Sequence, residues 1–141
     1  MRRALIAWLA LGLFGSAVYA EPPALQPGLY EVRLQTSFAD AQSAAPINTV
    51  QRCVSATEIA APQRLAPQFS GGADCSLSDL RAESNQASWT LTCRGEPAMR
   101  GSAHVTWSAS GYTGETRMTL QRGAEQMQMT QSYTARRLGD C

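Results

Sequence analysis

The chain of 141 residues contains no lysine; all twelve of its basic residues are arginines. That absence removes mechanisms built on a lysine nucleophile, a Schiff base or the amine of a phosphate-binding loop. Histidine is almost as scarce. His104 stands alone, which excludes multi-histidine metal sites and leaves serine-histidine or cysteine-histidine catalysis a single base to work with. No two cysteines share a two-residue spacing, so neither a redox dithiol nor a zinc knuckle is written locally. Charged residues make up only 16% of the chain and apolar ones 44%, the balance of one compact domain rather than a disordered segment.

The first twenty residues read as a signal peptide. Met1, Arg2 and Arg3 precede an apolar run over 4–14, and small residues before the junction place cleavage after Ala20. The run is too short to span a bilayer comfortably. The expected mature domain is 21–141, with ten arginines against eleven carboxylates, so no global field recruits nucleic acid or anionic lipid. Export fits the cysteine count. Cys53, Cys75, Cys93 and Cys141 all lie in the mature segment and predict two disulfides in an oxidising compartment. Three connectivities are open. The proline- and glycine-rich loop between Cys53 and Cys75 favours bridging those two, and Cys93 to Cys141, while a bridge between Cys75 and Cys93 on neighbouring strands is the alternative.

Period-two alternation predicts strands over 29–38, 47–54, 75–83, 87–94, 99–109, 112–121 and 125–136. Ser55 followed by Glu58 forms a capping box that predicts one or two helical turns over 55–61, ended before Pro62. Residues 62–74 read as irregular. Hairpin turns at Asn85-Gln86, Ser110-Gly111 and Arg122-Gly123 set Leu80 against Leu91, Val105 against Thr116, and Met118 against Met127 or Met129. One face then collects Ala103, Val105, Trp107, Met118, Leu120, Met127, Met129 and Tyr133. The other collects Ser102, His104, Thr106, Thr113, Glu115, Arg117, Thr119, Gln128 and Thr130. The expected fold is mainly β: an antiparallel meander curled into a half-open barrel or small sandwich, with one short helix.

The order of several short motifs resembles a known family. Pro27-Gly28-Leu29-Tyr30-Glu31, Arg52-Cys53-Val54-Ser55 before Glu58, Cys75, the stretch from Trp89 to Cys93, Gly111-Tyr112-Thr113-Gly114 with the methionine-threonine alternation after it, and the closing Gly139-Asp140-Cys141 are similar to the secreted proteobacterial family called domain of unknown function 3617. Tyr30 stands where a tryptophan is often seen in that family. The resemblance implies an exported envelope protein and carries over no catalytic residue, ligand or cofactor.

The chemistry-bearing residues point away from an enzyme. His104 shares its strand and face with Ser102 and Thr106, with Glu115 placed diagonally, but no nucleophile elbow or glycine-rich oxyanion loop accompanies them. Asp74, Asp79 and Glu83 follow one strand region with nothing to set them across a cleft from Glu115. Met99, Met118, Met127 and Met129 could offer thioethers to Cu(I), yet core packing demands the same spacing, so no metal or cofactor is assigned. Arg136 and Arg137 read as a solvated pair. The expectation is a non-catalytic periplasmic or secreted module that binds a small apolar molecule through Trp107, Met118, Met127, Met129 and Tyr133. The alternative is an envelope structural or protein-interaction module that recruits a partner at a strand edge.

Overall fold

The computed structural model describes residues 24–67 and 74–141. The expected signal peptide lies outside the described residues. Seven strands form: β1 (Gly28–Phe38), β2 (Ile47–Val54), β3 (Asp74–Glu83), β4 (Gln86–Arg94), β5 (Ala98–Ser108), β6 (Gly111–Arg122) and β7 (Glu125–Gly139). All pair antiparallel in one sheet of order β2-β1-β7-β6-β5-β4-β3. The sheet does not close, since β2 and β3 are its two free edges. One face is dry. Tyr30 and Val32 of β1 belong to the same buried cluster as Trp89 and Leu91 of β4, strands separated by three others, so the sheet curls around its own side chains.

Helix covers little of this face. Helix α1 (Ala56–Ile59) starts at the predicted capping box, in which the Ser55 amide donates to the Glu58 carboxylate at 2.9 Å and the Glu58 amide to Ser55 Oγ at 3.3 Å. Residues expected to be irregular include a 3-10 turn, Pro62–Arg64, which proline at its first position favours. Leu65 and Ala66 just beyond it are buried, and the turn packs against β4. Arg52 of β2 is ion-paired with Glu58, and both lie close enough to Tyr112 to bias its ionisation. The α1 segment therefore covers the end of the concave face that holds Tyr30 and Tyr112. The end that holds Phe38, Leu120 and Met127 has no such cover among the described residues.

Pairing registers differ from those expected, and between β5 and β6 the faces do not. The turn between β5 and β6 closes at Ser108 and Gly111, which places Val105 opposite Gly114, Trp107 opposite Tyr112 and Ala103 opposite Thr116. That is a slip of two residues, and an even slip leaves every side chain on its own face. Met118 opposes Met129, and the β6–β7 turn begins at Gly123, whose φ of +57° lies in the left-handed region that glycine enters freely. In the β3–β4 pair an extra residue between Ser78 and Arg81 forms a bulge, with Asp79 at a φ of 54°. One extra residue inverts the alternation, so Leu77, not Leu80, faces Leu91.

The favoured disulfide pairing is replaced by another: Cys53 bonds Cys141, and Cys75 bonds Cys93. Strand neighbourhood decides this. Cys75 and Cys93 are direct cross-strand partners, and Cys53 pairs with Leu29, which pairs with Gly139 two residues before Cys141. The entropy of the 53–75 loop cannot compete with pairings that the sheet itself brings within bonding range.

Candidate functional site

The inward faces of β1, β7, β6, β5 and β4 stack as successive cross-strand rows. At the covered end, Tyr30, Tyr112 and Tyr133 form an aromatic group, with ring centroids 5.6 Å apart for the first pair and 6.2 Å for the second. The Tyr30 hydroxyl donates to the Gln26 carbonyl at 2.6 Å, which draws the lead-in segment onto the core. Burial pushes all three hydroxyls above their ordinary ionisation range. For Tyr30 the Arg137 charge opposes that rise; for Tyr112 Arg52 opposes it while Tyr30 and Glu58 add to it, and for Tyr133 the neighbouring Tyr112 adds further.

These shifts predict an alkaline limit to stability. Unfolded tyrosines lose their protons near pH 10, about the reference value, whereas the folded chain keeps them, so above that pH the unfolded state binds fewer protons and stability falls. Below it the three groups contribute no pH dependence. Phenolate absorbance followed together with circular dichroism should show Tyr30, Tyr112 and Tyr133 ionising only as the sheet unfolds. Ionisation of even one in the intact sheet would contradict the packing described.

The five residues expected to line a pocket do not converge. Met118, Met129 and Tyr133 are buried, at 2%, 8% and 2% exposure, and Trp107 packs half-buried beside Tyr112. Met127, opposite Leu120 at the other end of β6, is 47% exposed. Eight residues of β6 separate the Leu120 row from the Tyr112 row, roughly 26 Å along a strand. Among the five, Tyr133 borders a hollow of about 260 Å3 with Leu34 and Ile47, and Met127 opens onto a larger cavity, with Met118 and Met129 in the row behind it.

That larger cavity is a cleft of about 620 Å3 at the uncovered end of the concave face. Phe38, Leu120, Met127 and Pro97 form its apolar walls, and Asp40, Arg122 and Glu125 its rim. Phe38 is the last inward residue of β1, opposite Met129, and is 40% exposed. Sequence reading passed over it although the alternation Tyr30, Val32, Leu34, Thr36 extends to it directly. Pro97 lies in the β4–β5 connection, where no periodicity could mark it.

On the polar face His104 stands directly opposite Glu115, not diagonal to it, because of the two-residue slip. The Glu115 carboxylate is held by Arg117 Nε at 2.5 Å, which engages it as an ion-pair partner on the strand surface. Arg136 and Arg137 are not a simple solvated pair. Arg136 reaches Glu31 at 3.4 Å, and Arg137 donates twice to the Pro27 carbonyl, at 3.0 and 2.9 Å, while pairing with Asp140 at 2.5 Å. Arg137 thus fastens the start of β1 to the chain end beside the Cys53–Cys141 bridge.

The family described as Protein of unknown function (DUF3617) matches residues 25–141. The chain belongs to the DUF3617 family. No curated protein and no solved structure matches it. The match spans the whole described DUF3617 sheet, from Leu25 in the core to the terminal cysteine. Among the described residues no helix is long and apolar enough to cross a membrane, and with two disulfides this is compatible with an extracytoplasmic protein.

Proposed function

We propose that this DUF3617 protein is a non-catalytic periplasmic binding module that holds a small apolar molecule in the cleft at the uncovered end of its concave face. One observation carries the reading: Phe38 and Met127 point inward with the core-facing residues of their strands, yet remain exposed, and with Leu120 and Pro97 they wall a cleft of about 620 Å3. A volume of that order suits a small organic molecule, and methionine walls adapt to varied shapes. The ligand's apolar part lies against Met127 and Leu120, and its end approaches Met129 and Met118. An N-terminal segment that reads as a signal peptide and two bridged cysteine pairs support a site of action outside the cytoplasm.

A neutral environment-sensitive dye, N-phenyl-1-naphthylamine, tests this. The folded protein should raise its fluorescence saturably, and Met127→Glu should weaken binding about tenfold by placing a carboxylate in the apolar wall, with little change in unfolding midpoint since Met127 is already exposed. No fluorescence gain on the folded protein would sink the reading. A second reading, partner recruitment by a strand edge, is favoured by β2: its outer edge is unpaired among the described residues and carries exposed Ile47 and Val50, whereas the other edge is bulged. Inactivity towards the dye together with dimers or complexes lost on a proline substitution at Thr49 would favour it.

A further inference from the structure

We infer that the convex face of the sheet carries an anion-binding groove, centred on Arg100, that takes a phosphate monoester group. Its outward row lies on the face opposite the apolar cleft, with which it shares Gln126 at the start of β7. The groove has a volume of about 620 Å3; its polar lining is Thr92, Arg94, Arg100, Thr119, Gln121 and Gln126, and Cys93, Gly95, Ala98 and Met99 complete it. Thr92, Arg100 and Thr119 form one outward row across β4, β5 and β6, so their side chains stand about 5 Å apart. Arg94 follows Thr92 on the same face, and Gln121 opposes Gln126 across β6 and β7.

Charge in the groove is unbalanced. Arg100 is exposed, and none of the ion pairs among the described residues includes it. Arg94 meets Asp74 at 3.0 Å, but the two side chains are 84% and 72% exposed, a solvated pair that a stronger anion can displace. Beyond the groove, Glu96 is taken up by Arg122 at 3.9 Å. Two guanidinium forks, two hydroxyls and the Gln126 amide therefore face the groove with one competing carboxylate, while Gln121 Nε2 already donates to the Gly123 carbonyl at 2.7 Å. That donor set exceeds what the two oxygens of a carboxylate ligand can accept. A phosphate monoester presents three terminal oxygens and close to two negative charges, and a guanidinium fork engages such oxygens in pairs. The volume beyond one phosphate accommodates the group it esterifies.

The test is a titration of the disulfide-bonded mature protein with inorganic phosphate, followed by amide chemical shifts at constant ionic strength. Shifts at Thr92, Arg100 and Thr119 should saturate, and Arg100→Gln should weaken binding about tenfold or more while leaving the unfolding midpoint in place. Asp74→Asn should tighten it severalfold by freeing Arg94, a gain that a merely structural Asp74 would not give. Equal shifts with chloride, or affinity unchanged in Arg100→Gln, would overturn the proposal. A parallel arm uses phosphatidylcholine vesicles with and without phosphatidic acid. Capture that depends on phosphatidic acid and on Arg100 assigns the groove to a lipid headgroup, and saturating phosphate shifts without vesicle capture assign it to a soluble phosphate ester.

Discussion

Replacing Cys53 and Cys141 together by alanine is expected to lower the unfolding free energy by about 4 kcal/mol, the largest loss from any change outside the core. The bridge closes a loop of 88 residues, and in the chain-entropy model the stabilisation grows slowly with loop length, from about 3 kcal/mol for a short loop to nearly 5 for one of about a hundred residues. Location adds to the effect. Strand β2 is an edge paired only to β1, and Cys141 follows the last strand, so the bridge fastens a sheet edge and a chain end at once. The Cys75–Cys93 bridge closes only 18 residues within a hairpin already held by its own ladder, and its removal should cost about 3 kcal/mol. Denaturant unfolding followed by the fluorescence of Trp89 and Trp107 measures both. A smaller loss for the Cys53 and Cys141 pair than for the hairpin pair would contradict the role assigned to the terminal clip.

Gly114→Val is expected to destabilise by about 3 kcal/mol. Gly114 lies inward on β6 between Val105 and Tyr133, and the Tyr133 ring occupies the space over it. A Cβ at Gly114 would overlap the hydroxyl end of that ring and come within 2.7 Å of the His104 carbonyl oxygen. Neither neighbour can give way. Tyr133 is 2% exposed within the tyrosine group, and the His104 oxygen belongs to the adjoining strand. Gly139→Ala is the control, because a Cβ there meets nothing within 4 Å, and its cost should stay within about 0.5 kcal/mol. Combining Gly114→Val with Tyr133→Leu should recover part of the loss, since the two residues compete for one volume. Strict additivity would mean that the ring does not fill the glycine gap.

The strands were legible in the sequence because alternation is a local property. Val105, Met118 and Met129 declare an inward face in any register that shifts by an even number, which is why the faces survived the displaced β5–β6 turn. The capping box at Ser55 and Glu58 was equally local, and it forms as written. What escaped depends on residues far apart or on a single backbone irregularity. One added residue at the β3 bulge exchanged Leu80 for Leu77, and nothing in the alternation marks where a strand will bulge. The cysteine pairing follows from the β2-β1-β7 adjacency, a long-range fact that the cost of closing any one loop does not contain.

The same distinction explains the candidate site. Methionine and aromatic residues were correctly placed on the dry face, but which of them meet a cavity depends on where α1 and the 3-10 turn lie over the sheet. Arg52 and Glu58 set the α1 segment beside Tyr112 at one end, and Met127 and Phe38 stay exposed at the other. Tyr133 and Trp107 consequently lie away from the cleft, while Phe38, Leu120 and Pro97 join Met127 there. Arg137 escaped because its partner, the Pro27 carbonyl, lies 110 residues away in the chain.

Native mass spectrometry of the protein exported to and purified from a bacterial periplasm, set against its denatured and unreduced mass, tests the binding reading most directly. The account predicts a native mass larger by one small apolar molecule, retained by the wild-type chain and lost in Met127→Glu. Identical native and denatured masses, for wild type and variant alike, in a protein that also gives no dye response would contradict it.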